Sequence, residues 1–365
     1  MAEIRVEKLR KTFGEFVAVR NSTFTIPDGS FFVMLGPSGC GKTTTLRMVA
    51  GLELPSEGQI LLDGEDVAFK LASERDIAFV FQLFALYPHM NVRRNIGFPL
   101  LCQGTPRAET RARVEETAKL LRIDHLLDLP VSGLAGGDRQ RVALGRAIVR
   151  RPKAFLMDEP LGTLDTEFRE LMIGELRQLH NRIRATTVYV THDQLEAMSM
   201  ADHIAVMNHG VIEQLGTPQE IYDRPATLFV ADFIGSPAMN LIPFTGQVTP
   251  GAKAIDLNGA KVPVPELAEG NGESELVLGA RPEHISFDDR SKFRGEVFGT
   301  EYLGTMQIVT IKTQHGQVKA RVPAHVTMKA GETVGLSFMG DRLSLFERKN
   351  GRALKTALHR EATRG

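Results

Sequence analysis

The stretch GPSGCGKT (36–43) constrains this chain more than any other, because it fits the pattern GxxxxGK[ST] in a specific local context. It follows the short apolar run SFFVML (30–35), which predicts a buried strand, and it precedes KTTTLRMVAGL (42–52), which predicts a helix. Glycines let backbone N–H groups close around phosphate oxygens, and the start of a helix adds positive potential. The order of strand, loop and helix favours a nucleotide phosphate site over a glycine-rich turn with an incidental lysine.

Each residue type in the loop has an expected task. Lys42 is expected to reach the β- and γ-phosphates, and the Thr43 hydroxyl is expected to ligate Mg²⁺. Cys40 is expected to be an inert small residue, although a thiol exposed in such a loop could be modified. The predicted phosphate-binding residues are Gly36, Pro37, Ser38, Gly39, Cys40, Gly41, Lys42, Thr43 and Thr44.

A second motif, FLMDEP (155–160), supplies two carboxylates directly after a predicted buried strand. Asp158 is placed to hold Mg²⁺ through water, and Glu159 can polarise the water that attacks the γ-phosphate. Two acids at a strand end are often only a solvated turn. The phosphate loop in the same chain needs these groups, so we favour the catalytic interpretation.

Composition sets outer limits on the fold and on the partners. A length of 365 residues favours two domains, with three as the alternative. The balance of 44 basic against 44 acidic residues gives no whole-chain argument for binding to nucleic acid or to an anionic membrane. Two cysteines without metal-ligand spacing favour a reducing compartment. The charged start, MAEIRVEKLRKTFG, predicts no signal peptide, and no apolar run approaches the ~18 residues of a membrane helix. The chain is therefore expected to be soluble, or peripheral through another protein.

Short apolar runs alternate with helical patterns over roughly the first two thirds of the chain. This alternation predicts an α/β domain with a parallel sheet covered on both faces. Predicted strands lie at 30–35, 76–81, 154–157, 187–191 and 203–208, and predicted helices at 42–52, 107–123, 138–149 and 167–183. Beyond 233–244 the runs shorten and alternate, which predicts a small antiparallel β domain. The final segment, 348–365, is basic and weakly patterned, and is expected to be a solvated tail.

Further motifs follow in a fixed order along the chain. They are KTFG (11–14), VFQ ending at Gln82, LAGGD (134–138) followed by RQRV, LGTLD (161–165) and THD (191–193). With the phosphate loop and FLMDEP they resemble the ABC transporter ATPases over nearly the whole chain. The resemblance implies that Phe13 stacks on adenine, that Gln82 senses Mg²⁺ and the γ-phosphate, and that Asp165 and His192 are the D-loop aspartate and the switch histidine. A lone histidine after a strand is more often structural, but the companion motifs reverse that expectation.

Three more segments narrow the resemblance. Residues 81–96, 214–237 and 281–284 are similar to the maltose and multi-sugar importer branch, whose ATPases carry an OB-like, TOBE-type β extension. The implied organisation is an ABC nucleotide-binding domain at 1–238 with a helical subdomain at about 84–150. A β regulatory domain at 239–350 and a basic tail at 351–365 follow.

The family's mechanism gives the LAGGD segment a meaning. Two ATPase domains close around ATP, so Gly136 and Gly137 would let backbone N–H groups approach a γ-phosphate bound by the other subunit. Where the family usually has LSGGQ, Ala135 lacks the serine hydroxyl, and one lost hydrogen bond to a charged group costs about 1.5–3 kcal/mol. Asp138 replaces glutamine and adds negative charge near the triphosphate. The chain could form a homodimer, which the intact catalytic residues favour, or it could pair with a different ATPase.

The resemblance also implies partners. Leu83, Phe84, Leu86 and Tyr87 would form an apolar cleft for the coupling helix of a permease, although core packing is the alternative. The expected assembly contains two membrane-spanning permease subunits and a second ATPase subunit at the cytoplasmic face of the inner membrane. A substrate-binding protein takes part indirectly, and no nucleic acid is expected.

The expected function is Mg²⁺-dependent ATP hydrolysis that powers a bacterial importer of a sugar, polyol or glycerol-phosphate. The alternatives are another class of P-loop enzyme, a non-transport ABC ATPase acting on a soluble assembly, and a regulatory binding module.

Overall fold

The computed structural model describes residues 2–162, 164–257 and 259–359. The chain separates into two compact units, Met1–Pro218 and Gln219–Gly365. Each unit has a hydrophobic core of its own.

The first unit mixes strands and helices. Its strands are β1 Ile4–Phe13, β2 Phe16–Ile26, β3 Phe31–Leu35, β4 Glu57–Leu62, β5 Glu65–Asp66, β6 Ile77–Val80, β7 Ala154–Asp158, β8 Thr186–Thr191, β9 His203–Asn208 and β10 Val211–Gly216. Its helices are α1 Lys42–Ala50, α2 Val92–Cys102, α3 Arg107–Leu120, α4 Gly136–Ile148, α5 Thr166–Ile183 and α6 Gln194–Met200.

The central sheet has six strands in the order β10-β9-β3-β8-β7-β6. The pairs β3–β8, β3–β9, β6–β7 and β7–β8 are parallel, and β9–β10 is antiparallel. All five runs predicted as strands of this sheet are strands, so the predicted α/β class is confirmed. Since the parallel strands end at one edge, the loops that follow β3, β6, β7 and β8 are brought together there.

A second, antiparallel sheet in this unit was not predicted. Its order is β2-β1-β4-β5, and it covers one face of the central sheet, because Ile4 and Ile60 share a core with Phe32 and Met34 of β3. On the opposite face, Phe31 contacts His180 of α5 edge to face, with 5.2 Å between ring centroids. Register shifts along the β1–β2 pair break the strict alternation that sequence patterning detects.

Helices α2, α3 and α4 lie between β6 and β7 and form the predicted helical subdomain. Helix α2 packs against both α3 and α4. At the crossing, a Cβ on Gly145 of α4 would lie 3.1 Å from Leu121 and 3.2 Å from Ile96, so a small residue allows the close approach.

The second unit begins with two short helices and continues as antiparallel strands. The helices are α7 Pro218–Asp223 and α8 Leu228–Phe233. The strands are β11 Asn240–Val248, β12 Ala254–Leu257, β13 Ala260–Pro263, β14 Asn271–Ala280, β15 Ile285–Phe287, β16 Arg294–Tyr302, β17 Met306–Thr313, β18 Gly316–Pro323, β19 Thr333–Phe338 and β20 Ser344–Glu347. They form sheets of order β11-β14-β20, β12-β13 and β15-β19-β16-β17-β18, which confirms the predicted antiparallel β region.

The boundary between the units lies before the predicted domain boundary at 238/239, because Arg281 ties α7 and α8 to the strands. Arg281 is 1% exposed, and its guanidinium stacks 4.1 Å from the Tyr222 ring centroid and donates to the Tyr222 carbonyl at 2.8 Å. It also donates to the Ile234 carbonyl at the end of α8.

The prediction of a solvated tail is wrong for residues 351–359. Leu354 and Thr356 are buried, and Arg352, Ala353 and Thr356 make isolated β-bridges within the second unit. The expectation for 360–365 lies outside the described residues.

None of the helices in the described ranges combines the length and the apolar character that crossing a membrane requires.

Candidate functional site

The phosphate loop lies between β3 and α1, as predicted. Gly39 and Gly41 have φ angles of 77° and 104°, which only glycine adopts without strain. Lys42 is buried, and its Nζ donates to the carbonyls of Gly36 at 2.8 Å and Pro37 at 2.9 Å. Among the described residues no carboxylate lies within ion-pair distance of this ammonium, so a buried cation with neutral partners is ready to receive an anion.

Cys40 agrees with the expectation of an inert small residue and contradicts the alternative of an exposed thiol that could be modified. Its side chain is 3% exposed, and a Cβ on Gly36 would lie 2.8 Å from its Sγ. Burial raises the pKa of the thiol. The thiolate is the reactive form, so Cys40 fills space in the loop.

Thr43 and Asp158 are joined across the site. The Thr43 hydroxyl donates to Asp158 Oδ1 at 2.8 Å. Burial raises the pKa of Asp158, with the Thr43 hydrogen bond acting in the opposite direction. Among the described residues no group of three or more His, Cys, Asp or Glu side chains could hold a metal. The hydroxyl and the carboxylate are hard oxygen ligands, which fit a Mg²⁺ ion that takes its other ligands from phosphate and water.

Glu159 and His192 form the second pair. His192 Nδ1 lies 3.2 Å from Glu159 Oε1, although they follow different strands, β7 and β8. Glu159 has a φ of 43°, in the left-handed region that a residue with a side chain rarely adopts. Its N–H donates to the Val190 carbonyl at 3.1 Å, which fixes the backbone in that conformation.

A buried network, which we did not predict, holds the residues on either side of His192. The carboxylate of Glu196 accepts from the Tyr189 hydroxyl at 2.8 Å and the Thr191 hydroxyl at 2.7 Å, and burial raises its pKa. Asp193 caps α6, and its other carboxylate oxygen accepts from Arg169 at 3.3 Å. An aspartate followed three residues later by a glutamate is a helix-start pattern that could have revealed this arrangement.

Arg169 extends the network to the LGTLD segment by donating to the Leu164 carbonyl at 3.1 Å. The next residue, Asp165, caps α5 by accepting from the Phe168 N–H at 3.0 Å. The expected D-loop aspartate thus has a structural task within its own chain, and its contact with nucleotide remains a prediction.

The LAGGD segment begins α4. Ala135 is the N-cap residue, has extended backbone and makes no side-chain capping bond. Asp138 lies in the first turn and pairs with Arg141 at 3.2 Å, and Arg141 in turn binds Glu175. The negative charge that Asp138 adds is therefore partly neutralised by Arg141 of the same chain.

The two signature glycines are not equivalent. A Cβ on Gly137 would lie 2.0 Å from the Phe168 ring, whereas a Cβ on Gly136 would meet only Leu164, at 3.7 Å. A side chain at Gly137 would therefore require the partly exposed Phe168 ring to move. Gly136 has no such steric requirement within its own chain, and its close approach to a phosphate stays a prediction.

Phe13, Gln82 and residues 134–138 are the remaining predicted residues of the nucleotide site. Phe13, at the end of β1, is 48% exposed, and its ring is free to stack except for Lys11 at 4.8 Å. Gln82 lies close to Gly162, since a Cβ there would be 3.7 Å from Gln82 Nε2. Within the described ranges no hydrogen bond or ion pair joins residues 134–138 to the phosphate loop.

The proposed coupling residues are not core residues. Leu83 is 78% exposed, and Phe84, Leu86 and Tyr87 are partly exposed. We did not predict the two side chains that hold this segment, which are Asn95 and Arg146. Buried Asn95 exchanges hydrogen bonds with the Tyr87 backbone at 2.9 and 3.1 Å.

Comparisons with known proteins agree with this geometry. The ABC transporter family profile matches residues 19–162, the MalK OB fold domain matches 235–285 and the TOBE domain matches 278–346. The trehalose import ATP-binding protein SugC of Mycobacterium tuberculosis is 44% identical, over 99% of this chain and all of that protein. The sn-glycerol-3-phosphate import ATP-binding protein UgpC of Ruegeria sp. is 43% identical, over 96% of this chain and 99% of that protein.

Two further proteins extend the comparison. The trehalose/maltose import ATP-binding protein MalK of Thermococcus litoralis is 43% identical, over 97% of this chain and all of that protein. The dimeric structure of MJ0796, a bacterial ABC transporter cassette, aligns with a TM-score of 0.53 and 30% identity, over 59% of this chain and 98% of that one. From its phosphate loop, its paired carboxylates and these full-length relatives, the chain belongs to the family of ABC transporter ATP-binding proteins.

Proposed function

We propose that this chain is the ATP-hydrolysing subunit of an importer of a carbohydrate-type solute, such as a sugar, a polyol or glycerol-phosphate. The observation that carries the proposal is the Glu159–His192 pair at 3.2 Å, at the strand edge that also bears the phosphate loop. The solute class rests on the names of the relatives, which import trehalose, maltose or sn-glycerol-3-phosphate.

The residues have separate tasks in hydrolysis. Lys42 exchanges its loop carbonyls for the β- and γ-phosphate oxygens, and the glycine N–H groups surround the same phosphates. Glu159 orients and polarises the attacking water, while His192 holds the carboxylate and faces the γ-phosphate. Thr43 and Asp158 would hold Mg²⁺, which neutralises charge on the phosphate oxygens when bound. Gln82 lies at the same edge and would sense that ion.

A second ATPase subunit would complete each site. In the part of the chain that the structure describes, Ala135, Gly136 and the N–H groups at the start of α4 make no hydrogen bond to the phosphate loop, which suits a signature that serves the partner's ATP. We favour a homodimer, because the P-loop, Glu159 and His192 are intact in this chain.

Two permease subunits would bind the segment at 83–87 through its partly exposed apolar side chains, with a substrate-binding protein acting on their far side. The chain would then be peripheral, at the cytoplasmic face of the inner membrane.

The test is a trapping experiment in the native host. A tagged Glu159→Gln variant is loaded with Mg-ATP, membranes are solubilised and co-purifying proteins are identified. Recovery of polytopic membrane subunits is expected. A second, different ATPase in the same complex would replace the homodimer by a heterodimer, and recovery only with soluble assemblies would refute the transport function.

The docking segment has its own test. Phe84→Asp places a charge in the apolar cleft, so solute transport is expected to be lost while nucleotide binding is kept. Full transport by Phe84→Asp would refute docking at 83–87.

A further inference from the structure

The docking segment contains two consecutive residues in an unfavourable backbone conformation. Phe84 and Ala85 have φ angles of 60° and 47°. The Ala85 N–H donates to the Leu83 carbonyl at 2.6 Å, which closes a tight turn around Phe84. Residues with a Cβ disfavour this region, so a run of two persists only where surrounding groups hold it.

Arg146, in the last turn of α4, holds Phe84 and Ala85 in this conformation. One guanidinium nitrogen donates to the Ala85 carbonyl at 2.7 Å, and the other donates to the Phe84 carbonyl at 2.8 Å. The guanidinium carbon lies 5.3 Å from the Tyr87 ring centroid. Among the described residues no carboxylate lies within ion-pair distance of Arg146, so these carbonyls and this ring are its partners. The planar fork matches two adjacent carbonyls, and the single ammonium of lysine would not.

The rest of the segment is held independently. Asn95 binds the Tyr87 backbone and also donates to the carbonyls of Met90 and Asn91 at 3.3 and 3.1 Å. Losing Arg146 would therefore release the carbonyls of Phe84 and Ala85 and uncover one face of the Tyr87 ring, while Asn95 still holds the backbone from Tyr87 onward.

We propose that Arg146 is a positioning residue that sets the shape of the docking segment and links it to the signature. Helix α4 begins at Gly136 of the signature and carries Arg146 at its other end. A rigid helix that moves when ATP binds at Gly136 moves the carbonyls of Phe84 and Ala85 with it. The inference rests on the proposed function, in which 83–87 bind the permease.

The experiment measures the ratio of permease-stimulated to basal ATPase activity in the reconstituted complex, together with solute transport. Arg146→Gln is expected to lower the ratio about tenfold or more, the effect of losing hydrogen bonds to a charged donor. Arg146→Lys is expected to fall in between. Arg107→Gln, an exposed arginine at the start of α3, is the control and should keep the wild-type ratio.

A rescue separates positioning from general folding. Glycine adopts positive φ without strain, so Ala85→Gly added to Arg146→Gln should recover a large part of the ratio. Melting temperatures identify variants that do not fold. If Arg146→Gln is one of them, the same rescue is made in Arg146→Lys.

Two results for the ATPase ratio would overturn the positioning role of Arg146. A wild-type ratio in Arg146→Gln, or in Arg146→Lys where that variant replaces it, overturns the inference. So does a reduced ratio that Ala85→Gly does not raise. If Phe84→Asp uncouples transport while the Arg146 variants do not, the positioning role is wrong and the docking function stands; if Phe84→Asp transports fully, the docking function itself fails.

Discussion

Ala135 gives the sharpest prediction, because a single added oxygen there has two separable effects. As the N-cap of α4, Ala135 leaves the first N–H groups of the helix without a side-chain acceptor. In Ala135→Ser the hydroxyl can accept from the N–H of Gly137 or Asp138 when nucleotide is absent. When a partner's γ-phosphate is present, the same hydroxyl can donate to it.

The two effects differ in size. Serine in place of alanine at an N-cap stabilises a protein by about 1 kcal/mol, which raises the melting temperature of a domain of this size by roughly 2–4 °C. A hydrogen bond to a charged phosphate contributes about 1.5–3 kcal/mol, or roughly 10- to 150-fold in the equilibrium for closing around ATP. We therefore expect a small gain in stability and a larger gain in the ATPase activity of the assembled complex.

Ala135→Gly is the matched control. Glycine is nearly as good an N-cap as serine but has no hydroxyl, so it should keep most of the stability gain without the gain in activity. The assays are thermal melting of the isolated chain and ATPase activity of the complex at subsaturating Mg-ATP. Unchanged or lower activity in Ala135→Ser, or equal activity in both variants, would show that the missing hydroxyl does not weaken this signature.

Two further predictions concern packing and pH. The new Cβ in Gly137→Ala would overlap the Phe168 ring, so the free energy of unfolding in urea should be lower for this variant than for Gly136→Ala by about 1–3 kcal/mol. Equal free energies would contradict the different packing of the two glycines. Burial lowers the pKa of His180 below its ordinary value of 6.5, so the unfolded chain binds this proton first as pH falls. The stability that neutral His180 confers is thus present above pH 6.5 and is lost below it, by up to about 1.4 kcal/mol per pH unit. His180→Gln should flatten the pH dependence of urea stability between about pH 5 and 7, and a slope equal to that of the wild-type chain would contradict the assignment.

Local sequence predicted those parts of the site whose residues are neighbours in the chain. The phosphate loop and the Asp158–Glu159 pair each follow a strand directly, so short-range patterning was enough to place them. The partnership of Glu159 with His192 required the family's motif order, because the two residues follow different strands.

Contacts between distant segments could not be predicted. Arg146 lies 61 and 62 residues from the carbonyls that it binds, and nothing in its immediate neighbours distinguishes it from other helix arginines. The antiparallel sheet was missed because bulges in β1 interrupt its alternation. Burial of Leu354 in the presumed tail depends on the fold of the second unit and leaves no local pattern.

Because the two cysteines are unequally buried, a thiol-reactive dye can label the native chain selectively at one position. Cys40 is enclosed in the phosphate loop with a raised pKa, whereas Cys102 is exposed at the end of α2. A maleimide dye at neutral pH will react fastest at Cys102, with no engineered residue. Fluorescence from that position then tests, without any substitution in the sequence, whether the surroundings of α2 change when Mg-ATP is added.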